Sequence, residues 1–370
     1  MNIDTTKLRN VIYVGLDVHK ESISLAAVEG KSVVAERRFG TRDLAKLHKF
    51  LQKLASKGLV RCCYEASGAG YALRRQILNW GFECEIAASS LIPTKPGERK
   101  KCDRLDAQKL AQYFQANLLT LIHIPTQEQE AARDLVRLRR ALRKDVTRWK
   151  HRVVKFLATK GVAYHNGDNW TGIFRTWLTK IQLQQRLDQL TLAHKLDVLS
   201  VAEAKLKEID REIETLSRTE PYQKPVQLLR GFKGVDTHTA MVIVTEIADI
   251  RRFSSPRKLM DYTGLTPAVH QSGKPDNNKA SSITKAGNSN LRHVLIQAAW
   301  QYAKSPKRSR DLLKRKEELP AWLVQHSNKA QRRLYKRFHH LAANRDRKQA
   351  VVGTARELIG FLGAVLAEIA

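Results

Sequence analysis

The feature that most constrains the fold is the alternation of short apolar runs with leucine-rich helical periods over the first third of the chain. Apolar residues at every second position predict strands, whereas apolar residues three and four apart predict helices. Glu29-Gly30-Lys31 predicts a hairpin turn between the second and third strands, and Gly58 ends the first helix. Strands are predicted at 11–17, 23–27, 32–39, 60–65 and 83–88, and helices at 43–57, 71–80 and from 103 onward. Residues 1–125 therefore have the order β-β-β-α-β-α-β-α.

Four acidic residues stand at strand ends and at a helix start within this order. Asp17 ends the first strand and Glu65 closes the fourth, and these two strands are neighbours in the ribonuclease-H-like fold, which has the same order. Asp103 and Asp106 are three residues apart, so they can share one face of their helix. Because clustered carboxylates repel one another unless a cation neutralises them, we predict that they hold two divalent metal ions of a phosphodiester-cleaving enzyme.

The charge of the chain points to a polyanionic partner. Lys and Arg number 66 against 36 Asp and Glu, giving a net charge of +30. Nucleic acid is favoured over a membrane, because no segment approaches the roughly 18 apolar residues of a membrane span. The apolar stretch 358–367 predicts a buried helix instead. No signal-peptide pattern or C-x-x-C spacing is present, so we expect a cytoplasmic protein whose four cysteines are reduced core residues.

Residues 126–222 change to long, charged helices. Their apolar positions step by threes and fours in two segments separated by an irregular stretch at 164–169. This pattern predicts two antiparallel helices that either form a hairpin on their own domain or build a coiled coil between copies of the chain. The apolar positions are Leu135, Leu138, Leu142, Val146, Trp149, Val153 and Phe156, then Leu199, Ala202, Leu206, Ile209, Ile213 and Leu216.

Residues 223–370 begin with an apolar turn carrying Gly231 and Gly234 before a helix. This is typical of a helix-hairpin-helix element, whose backbone N–H groups hold a phosphate at the helix start. An ordinary helix pair in a core fits the pattern equally well. A loop rich in Gly, Ser and Asn follows at 263–290 and leads into a helix at 290–304.

The stretch 304–348 is dense in lysine and arginine. Tyr335 and Phe338 are interleaved with its basic residues. This arrangement favours a nucleic-acid-binding face with aromatic side chains available for stacking on bases, rather than an ordinary solvated basic surface.

Separate motifs, in order, resemble the DEDD transposases of bacterial insertion sequences. In the first region these are Gly15-Leu16-Asp17-Val18-His19-Lys20, Glu65-Ala66-Ser67-Gly68 and Lys101-Cys102-Asp103-Arg104-Leu105-Asp106-Ala107. In the third region they are Tyr262-Thr263-Gly264-Leu265-Thr266-Pro267, Ser272-Gly273, Ile283-Thr284-Lys285-Ala286-Gly287-Asn288 and Leu291-Arg292. The tail from Lys329 resembles the subgroup with longer C-termini. The resemblance covers nearly the whole chain.

The resemblance implies an α/β RuvC-like nuclease domain at 1–125 and a mainly helical C-terminal transposase domain at 223–370. The helical pattern described above predicts a coiled-coil region between them, at 126–222. The resemblance further implies a recombinase that excises and inserts a mobile element, guided by a bridge RNA that pairs with donor and target DNA. It also implies a covalent phosphoserine intermediate and an active site completed within a dimer or tetramer.

Within that resemblance, Asp17, Glu65, Asp103 and Asp106 would hold two Mg²⁺ ions, with Mg²⁺ preferred to Mn²⁺ only by ligand chemistry and availability. Ser272 would be the nucleophile. The chain has Gln271 where the family often has a second serine, and it has Ser281 and Ser282 where the family often has glycines, so these two serines are rival nucleophiles. The predicted nucleic-acid contacts are Arg99, Lys100, Lys101, Lys233, Gly234, Lys274, Lys285, Arg292, Arg332, Arg333, Lys336 and Arg337.

Two other functions compete with this interpretation. A hydrolytic RuvC-like nuclease, such as a junction resolvase, would use the same carboxylates with water and form no covalent adduct. A non-enzymatic nucleic-acid-binding protein would use only the basic surface, and its acids would be structural.

Overall fold

The computed structural model describes residues 10–93, 102–268, 282–307 and 309–370. The chain divides into two compact units, the first ending at Ile124 and the second beginning at Pro125. A further boundary between residues 222 and 223 stays a prediction.

The first unit is a mixed α/β structure with a single five-stranded sheet in the described residues. Its element order confirms the predicted succession of strands and helices, with one 3-10 turn at Ser89–Leu91 before the last helix. The elements are β1 (Val11–Val18), β2 (Ser22–Glu29), β3 (Ser32–Gly40), α1 (Leu44–Ala55), β4 (Leu59–Glu65), α2 (Ala72–Asn79), β5 (Glu83–Ala87) and α3 (Asp103–Gln115).

The sheet has the strand order β3-β2-β1-β4-β5. β1 pairs with β2 in antiparallel fashion and with β4 in parallel. The predicted adjacency of the first and fourth strands is therefore confirmed. Because β1 is the central strand, β2 lies on one side of it and β4 on the other.

The two faces of the sheet are covered by different helices because its strands alternate. Val14 and Leu16 of β1 pack with Leu47 and Leu51 of α1 on one face. On the other face Tyr13 packs with Phe114 of α3. The side chains that share the second face therefore point toward α3.

Three of the four cysteines confirm the prediction of core thiols. Cys62, Cys63 and Cys84 are buried, and burial raises the pKa of each thiol. Cys102 is exposed at the residue before α3, so the prediction was wrong for this residue.

The second unit is helical in its described residues. Two long helices come first, and shorter ones then pack around a final apolar helix. The elements are α4 (Gln127–Thr159), α5 (Gly172–Thr179), α6 (Arg186–Leu216), α7 (Gln223–Leu229), α8 (Thr237–Ile247), α9 (Pro256–Thr263), α10 (Ser289–Ala299), α11 (Arg310–Glu317), α12 (Ala321–Asn344) and α13 (Arg347–Glu368), with 3-10 turns at Ile250–Arg252 and Trp300–Ala303.

The helices α4 and α6 pack against each other along their length. Leu192 near the start of α6 shares a cluster with Val153 near the end of α4, and Ile213 near the end of α6 shares one with Val136 near the start of α4. The two helices are therefore antiparallel within one chain, which confirms the predicted pair. A coiled coil between copies stays a prediction.

Apolar helix α13 closes the core of the second unit. By length and composition it could cross a membrane, contrary to the expectation that no segment reaches that size, but 56% of its most apolar window is buried inside the unit. Because Gly363 has no side chain, the Leu259 side chain of α9 can pack against the backbone of α13 at that position. Burial of Leu358 and Leu362 confirms the predicted core helix at 358–367.

Candidate active site

The approach of α3 to β1 places the acidic residues of the first unit. Gly15 lies on β1 beneath α3, where a side chain would collide with the Ala107 carbonyl oxygen and come within 2.6 Å of the Ala111 nitrogen. A glycine facing two alanines one helical turn apart allows backbone to pack on backbone. As a result, the first turn of α3 lies at the carboxyl end of β1.

Asp17 and Glu65 project from the same face of the sheet, at the same end. Gly15 of β1 is paired with Cys63 of β4 in the parallel register. Asp17 and Glu65 each lie two residues further along, so each shares the face of its paired residue. Cys63 packs with Leu110 of α3, which identifies that face as the one covered by α3.

Asp103 and Asp106 occupy the first turn of α3. Negative charge is favourable there because the helix N-terminus carries a partial positive charge. Both residues are half-buried, as is Glu65. Asp106 is close enough to Asp17 to perturb its ionisation.

Three side chains form a compact group of possible metal ligands. Ligand atoms of Asp17, His19 and Asp103 lie within 4.8 Å of one another. The His19 Nε2 atom is 3.1 Å from Asp17 Oδ2 and 3.5 Å from Asp103 Oδ1. Glu65 and Asp106 lie outside this group of three.

Burial and charge disfavour the ionised form of Asp17. The side chain is 15% exposed. Burial raises the pKa of Asp17, and the carboxylates of Asp103 and Asp106 raise it further, against the opposing effect of the His19 hydrogen bond. Arg38 partly offsets the charge, with Nη2 at 3.6 Å from Asp103 Oδ2.

The oxygen-rich donor set fits a divalent cation. Hard cations such as Mg²⁺ take carboxylate oxygens, and a cation would reverse the repulsion that raises the pKa of Asp17. The His19 ring would then have to join the ligands or turn aside. In either case these residues present a negatively charged centre suited to binding a metal against a phosphodiester.

His19 is a participant that the predicted set of four acids and basic contacts does not include. A tight turn in which the His19 N–H donates to the Ser22 carbonyl follows β1. This turn brings the ring back over Asp17. The Asp-x-His spacing at a strand end was the available signal.

An open cavity of about 760 Å³ adjoins the end of β1. Lys20, Ser67 and Gly68 line it, together with apolar residues of α2. None of the four acids lines it, and its apolar wall comes from α1 and α2, which cover the face of the sheet opposite α3.

In the second unit, the stem of the predicted serine loop is well defined. The Ala268 N–H donates to the Ser282 carbonyl and the Thr284 N–H donates to the Thr266 carbonyl. Asn288 donates its backbone N–H to the Tyr262 carbonyl. These bonds form a short ladder between residues 262–268 and residues 282–288.

A buried carboxylate anchors that stem. Glu246 of α8 is 1% exposed and accepts hydrogen bonds from Arg137 Nε, Asn288 Nδ2 and Asn290 Nδ2 at 2.7–2.8 Å. Although burial raises it, these hydrogen bonds and the Arg137 charge hold the pKa of Glu246 below its usual range. The network ties α4, α8 and the exit of the loop together.

Several predicted site residues lie outside the described residues, and their roles stay predictions. They are Arg99, Lys100, Lys101, Ser272, Lys274 and Ser281.

Other predicted contacts have structural partners. Lys233 Nζ donates to the Ser305 carbonyl at 2.8 Å, in a turn where Gly234 has φ of +83°. Arg292 Nη1 donates to the Thr263 carbonyl, and Lys285 has φ of +54° in the stem. A phosphate contact by any of them stays a prediction.

The basic helix α12 is partly turned toward the core. Arg333 and Arg337 both pair with Glu357 of α13, whereas Arg332 and Lys336 are exposed. Phe338 is 1% exposed, so the expectation that it is available for base stacking was wrong. Its position follows the apolar period of α12, which the surrounding basic residues obscure.

Comparison with known proteins finds matches to transposases in both units. The family model described as Transposase IS116/IS110/IS902 family matches residues 226–314, and the DEDD model of the IS110 group, described as Transposase, matches residues 14–160. The y4qE protein of Sinorhizobium fredii is 35% identical over 361 residues, covering 96% of this chain and 88% of its own length. The transposase for insertion sequence element IS1533 of Leptospira borgpetersenii is 30% identical over 344 residues, covering 91% of this chain and 99% of its own length. The transposase for insertion sequence element IS1111A of Coxiella burnetii is 23% identical over 300 residues, covering 79% of this chain and 78% of its own length.

Proposed function

The chain belongs to the IS116/IS110/IS902 family of transposases, and from this premise we propose that it is a site-specific recombinase that excises and inserts a mobile element. The observation that carries the proposal is the convergence of Asp17, Asp103 and Asp106 at the carboxyl end of β1. This convergence falls within the region that matches the DEDD transposase model.

In this proposal the first unit is a RuvC-like nuclease domain. Asp17, Glu65, Asp103 and Asp106 would hold two Mg²⁺ ions, with His19 beside them. When bound there, Mg²⁺ would supply positive charge to stabilise the phosphodiester oxygens during displacement. Gly15 keeps α3 close enough for carboxylates from a strand and a helix to act on one phosphodiester.

The reaction proceeds through a phosphoserine. The Ser272 hydroxyl oxygen attacks the phosphorus and loses its proton, the bond from phosphorus to one DNA oxygen breaks, and that strand leaves with a hydroxyl. A hydroxyl of another strand then attacks the phosphoserine and restores the serine. A phosphodiester is exchanged for a phosphodiester, so the cycle needs no external energy source.

Donor and target DNA are the substrates, and a bridge RNA supplies the sequence information. The net charge of +30 supports extensive contact with nucleic acid. The exposed Arg332 and Lys336 on α12, and the turn at Lys233 and Gly234, are proposed backbone contacts.

The working form is a dimer or tetramer assembled through the helical region. Apolar side chains on α6 remain exposed opposite its buried leucines. Leu187 and Val201 are 65% and 62% exposed, and they are two heptads apart on one stripe. A second copy of α6 would cover this stripe.

The test is denaturing electrophoresis of the protein after incubation with labelled DNA, RNA from its own locus and Mg²⁺. We expect a covalent protein–DNA adduct in the wild type that Ser272→Ala abolishes. Ser56→Ala is the matched control, because Ser56 is an exposed serine at the end of α1, outside the proposed site.

Other outcomes of the same experiment separate the alternatives. An adduct that survives Ser272→Ala and is lost with Ser281→Ala or Ser282→Ala moves the nucleophile. DNA cleavage without any adduct overturns recombination in favour of a hydrolytic nuclease. DNA binding without cleavage, unchanged by Asp17→Asn, favours a non-enzymatic protein.

A further inference from the structure

A cavity of about 560 Å³ lies between α4, α8 and α10 in the second unit. Neither the four acidic residues of the first unit nor the described residues 262–268 and 282–288 of the loop stem line it. None of the residues predicted from sequence to contact nucleic acid lines it in the described part of the chain. Its basic lining consists of Arg139, Arg140, Arg143, Lys144, His238 and His293, together with Arg137.

The cations of this cavity outnumber the acids that neutralise them. Arg139 donates to Asp210 at 2.5 Å, and Arg137 is held by Glu246. Within the described residues, no carboxylate pairs with Arg140, Arg143 or Lys144. In the part of the chain that the structure describes, the acceptors of the Arg140 guanidinium are neutral, the Ser289 carbonyl and the Asn290 side-chain oxygen.

Two buried polar atoms of residues that line the cavity have no hydrogen-bond partner among the described residues. They are Arg140 Nε and His238 Nδ1. A buried N–H without an acceptor is costly, and an anionic oxygen in the cavity would supply one.

The two histidines of the cavity have lowered pKa values, mainly because they are buried and secondly because cations lie near them. Burial and the Arg139 guanidinium lower the pKa of His238 to about 4. Burial, Arg140 and Lys144 lower the pKa of His293 as well. Both rings are therefore neutral near pH 7 and are suited to hydrogen-bonding an anion without adding charge.

A second basic cavity, of about 860 Å³, continues from the first around the start of α8. The two cavities share Asp236, Thr239 and Gln297 in their walls. Lys304 and Lys307 line the second one. Two adjoining basic cavities can hold consecutive phosphates of a polymer, whereas a single small anion would occupy only one of them.

We propose that the cavity between α4, α8 and α10 binds a backbone phosphate of a nucleic-acid strand, through Arg140, Arg143 and Lys144. This site rests on the proposed function, which requires the chain to hold nucleic acid, and it adds a contact that sequence motifs did not indicate. Since a phosphate contact carries no base information, binding there is independent of sequence.

The test measures the affinity of the full chain for a labelled DNA duplex of arbitrary sequence by fluorescence anisotropy, between about 50 and 200 mM NaCl. EDTA is present, so that cleavage and metal binding play no part. The variant is Arg143→Ala/Lys144→Ala, whose two side chains are exposed at the cavity rim. The control is Lys53→Ala/Lys57→Ala, which removes the same charge from exposed positions at the opposite end of β4 from Glu65.

We expect the slope of log affinity against log salt to fall by about 0.9 for each lost phosphate contact in the cavity variant, and to stay unchanged in the control. Equal slopes in the two variants would overturn the proposal, because they would show only a general effect of charge. Saturable binding of inorganic phosphate that leaves the DNA slope unchanged would overturn it in favour of a small-anion site.

The proposed function can fail without this inference failing. Strand exchange can be absent while the slope of log affinity against log salt is still smaller in the cavity variant than in the wild type. In that case the cavity binds nucleic acid in a protein of another activity. If strand exchange occurs and the slopes are equal, only the cavity assignment is wrong.

Discussion

At the residue scale, the Asp17 carboxylate is held at an electrostatic cost that a substitution can measure. Without metal, we expect Asp17→Asn to raise the thermal midpoint at pH 7, because it removes a half-buried charge that faces two other carboxylates. Calorimetry in EDTA measures this shift. Mg²⁺ should then raise the midpoint of the wild type and leave the variant almost unchanged.

The pH dependence of that shift follows from the direction of the pKa. The pKa of Asp17 is raised in the folded chain, so the folded state retains its proton when the unfolded chain has lost it. The destabilisation is absent below the ordinary pKa of aspartate, develops as the pH rises through the raised pKa, and is complete above it. Asp43→Asn is the control, since Asp43 is 50% exposed and paired with Lys46. A midpoint difference that did not change with pH would contradict this account.

His19 shows what a residue-level reading of the sequence overlooks. Its neighbour Asp17 was identifiable because it ends an apolar strand. The histidine follows the strand and carries no periodic signal, and only the turn to Ser22 directs its ring toward Asp17 and Asp103.

At the scale of elements, the contact of α3 with β1 fixes where Asp103 and Asp106 lie relative to Asp17. We expect Gly15→Ala to cost about 1–3 kcal/mol of stability, because the added methyl group must displace α3 from the sheet. Asp103 and Asp106 would move with the helix, so cleavage should be lost although every acid remains. Urea unfolding and a cleavage assay measure the two effects.

The control for this change is Gly172→Ala. A methyl group at Gly172, the first residue of α5, meets no atom within 4 Å. Its stability and cleavage should match the wild type. Full cleavage by Gly15→Ala would show that the position of α3 does not set the site.

The long helices could be predicted as elements but not as a packing arrangement. The apolar steps of 126–216 identified two helices, and the same steps fit a hairpin or a coiled coil between chains. The pairing of Leu192 with Val153 and of Ile213 with Val136 within one chain depends on the path through α5, which no periodicity encodes.

At the scale of the whole molecule, the exposed stripe on α6 predicts self-association. We expect the wild type to be larger than a monomer in light scattering, and Leu187→Glu/Val201→Glu to reduce its mass while the helical content stays the same. Leu313→Glu is the control, since Leu313 is an exposed leucine on α11. A mass equal to the wild-type mass in the α6 variant would exclude this stripe as the interface.

The sequence by itself determined the order of strands and helices, the mixed character of the first unit, the adjacency of the strands that carry Asp17 and Glu65, and the family. These properties are local in the chain: apolar periodicity, turn residues and motif spacing act over a few residues, and the order of elements limits how strands can pair.

Only the tertiary structure decided which charges are neutralised and which remain. Arg133 and Arg137 belong to a buried network around Glu246, while Arg140, Arg143 and Lys144 one to two turns further along α4 face a cavity without a carboxylate partner in the described residues. Phe338 lies in the core although basic residues surround it in sequence. Burial and pairing depend on contacts between residues that are distant in the chain, so composition and spacing cannot specify them.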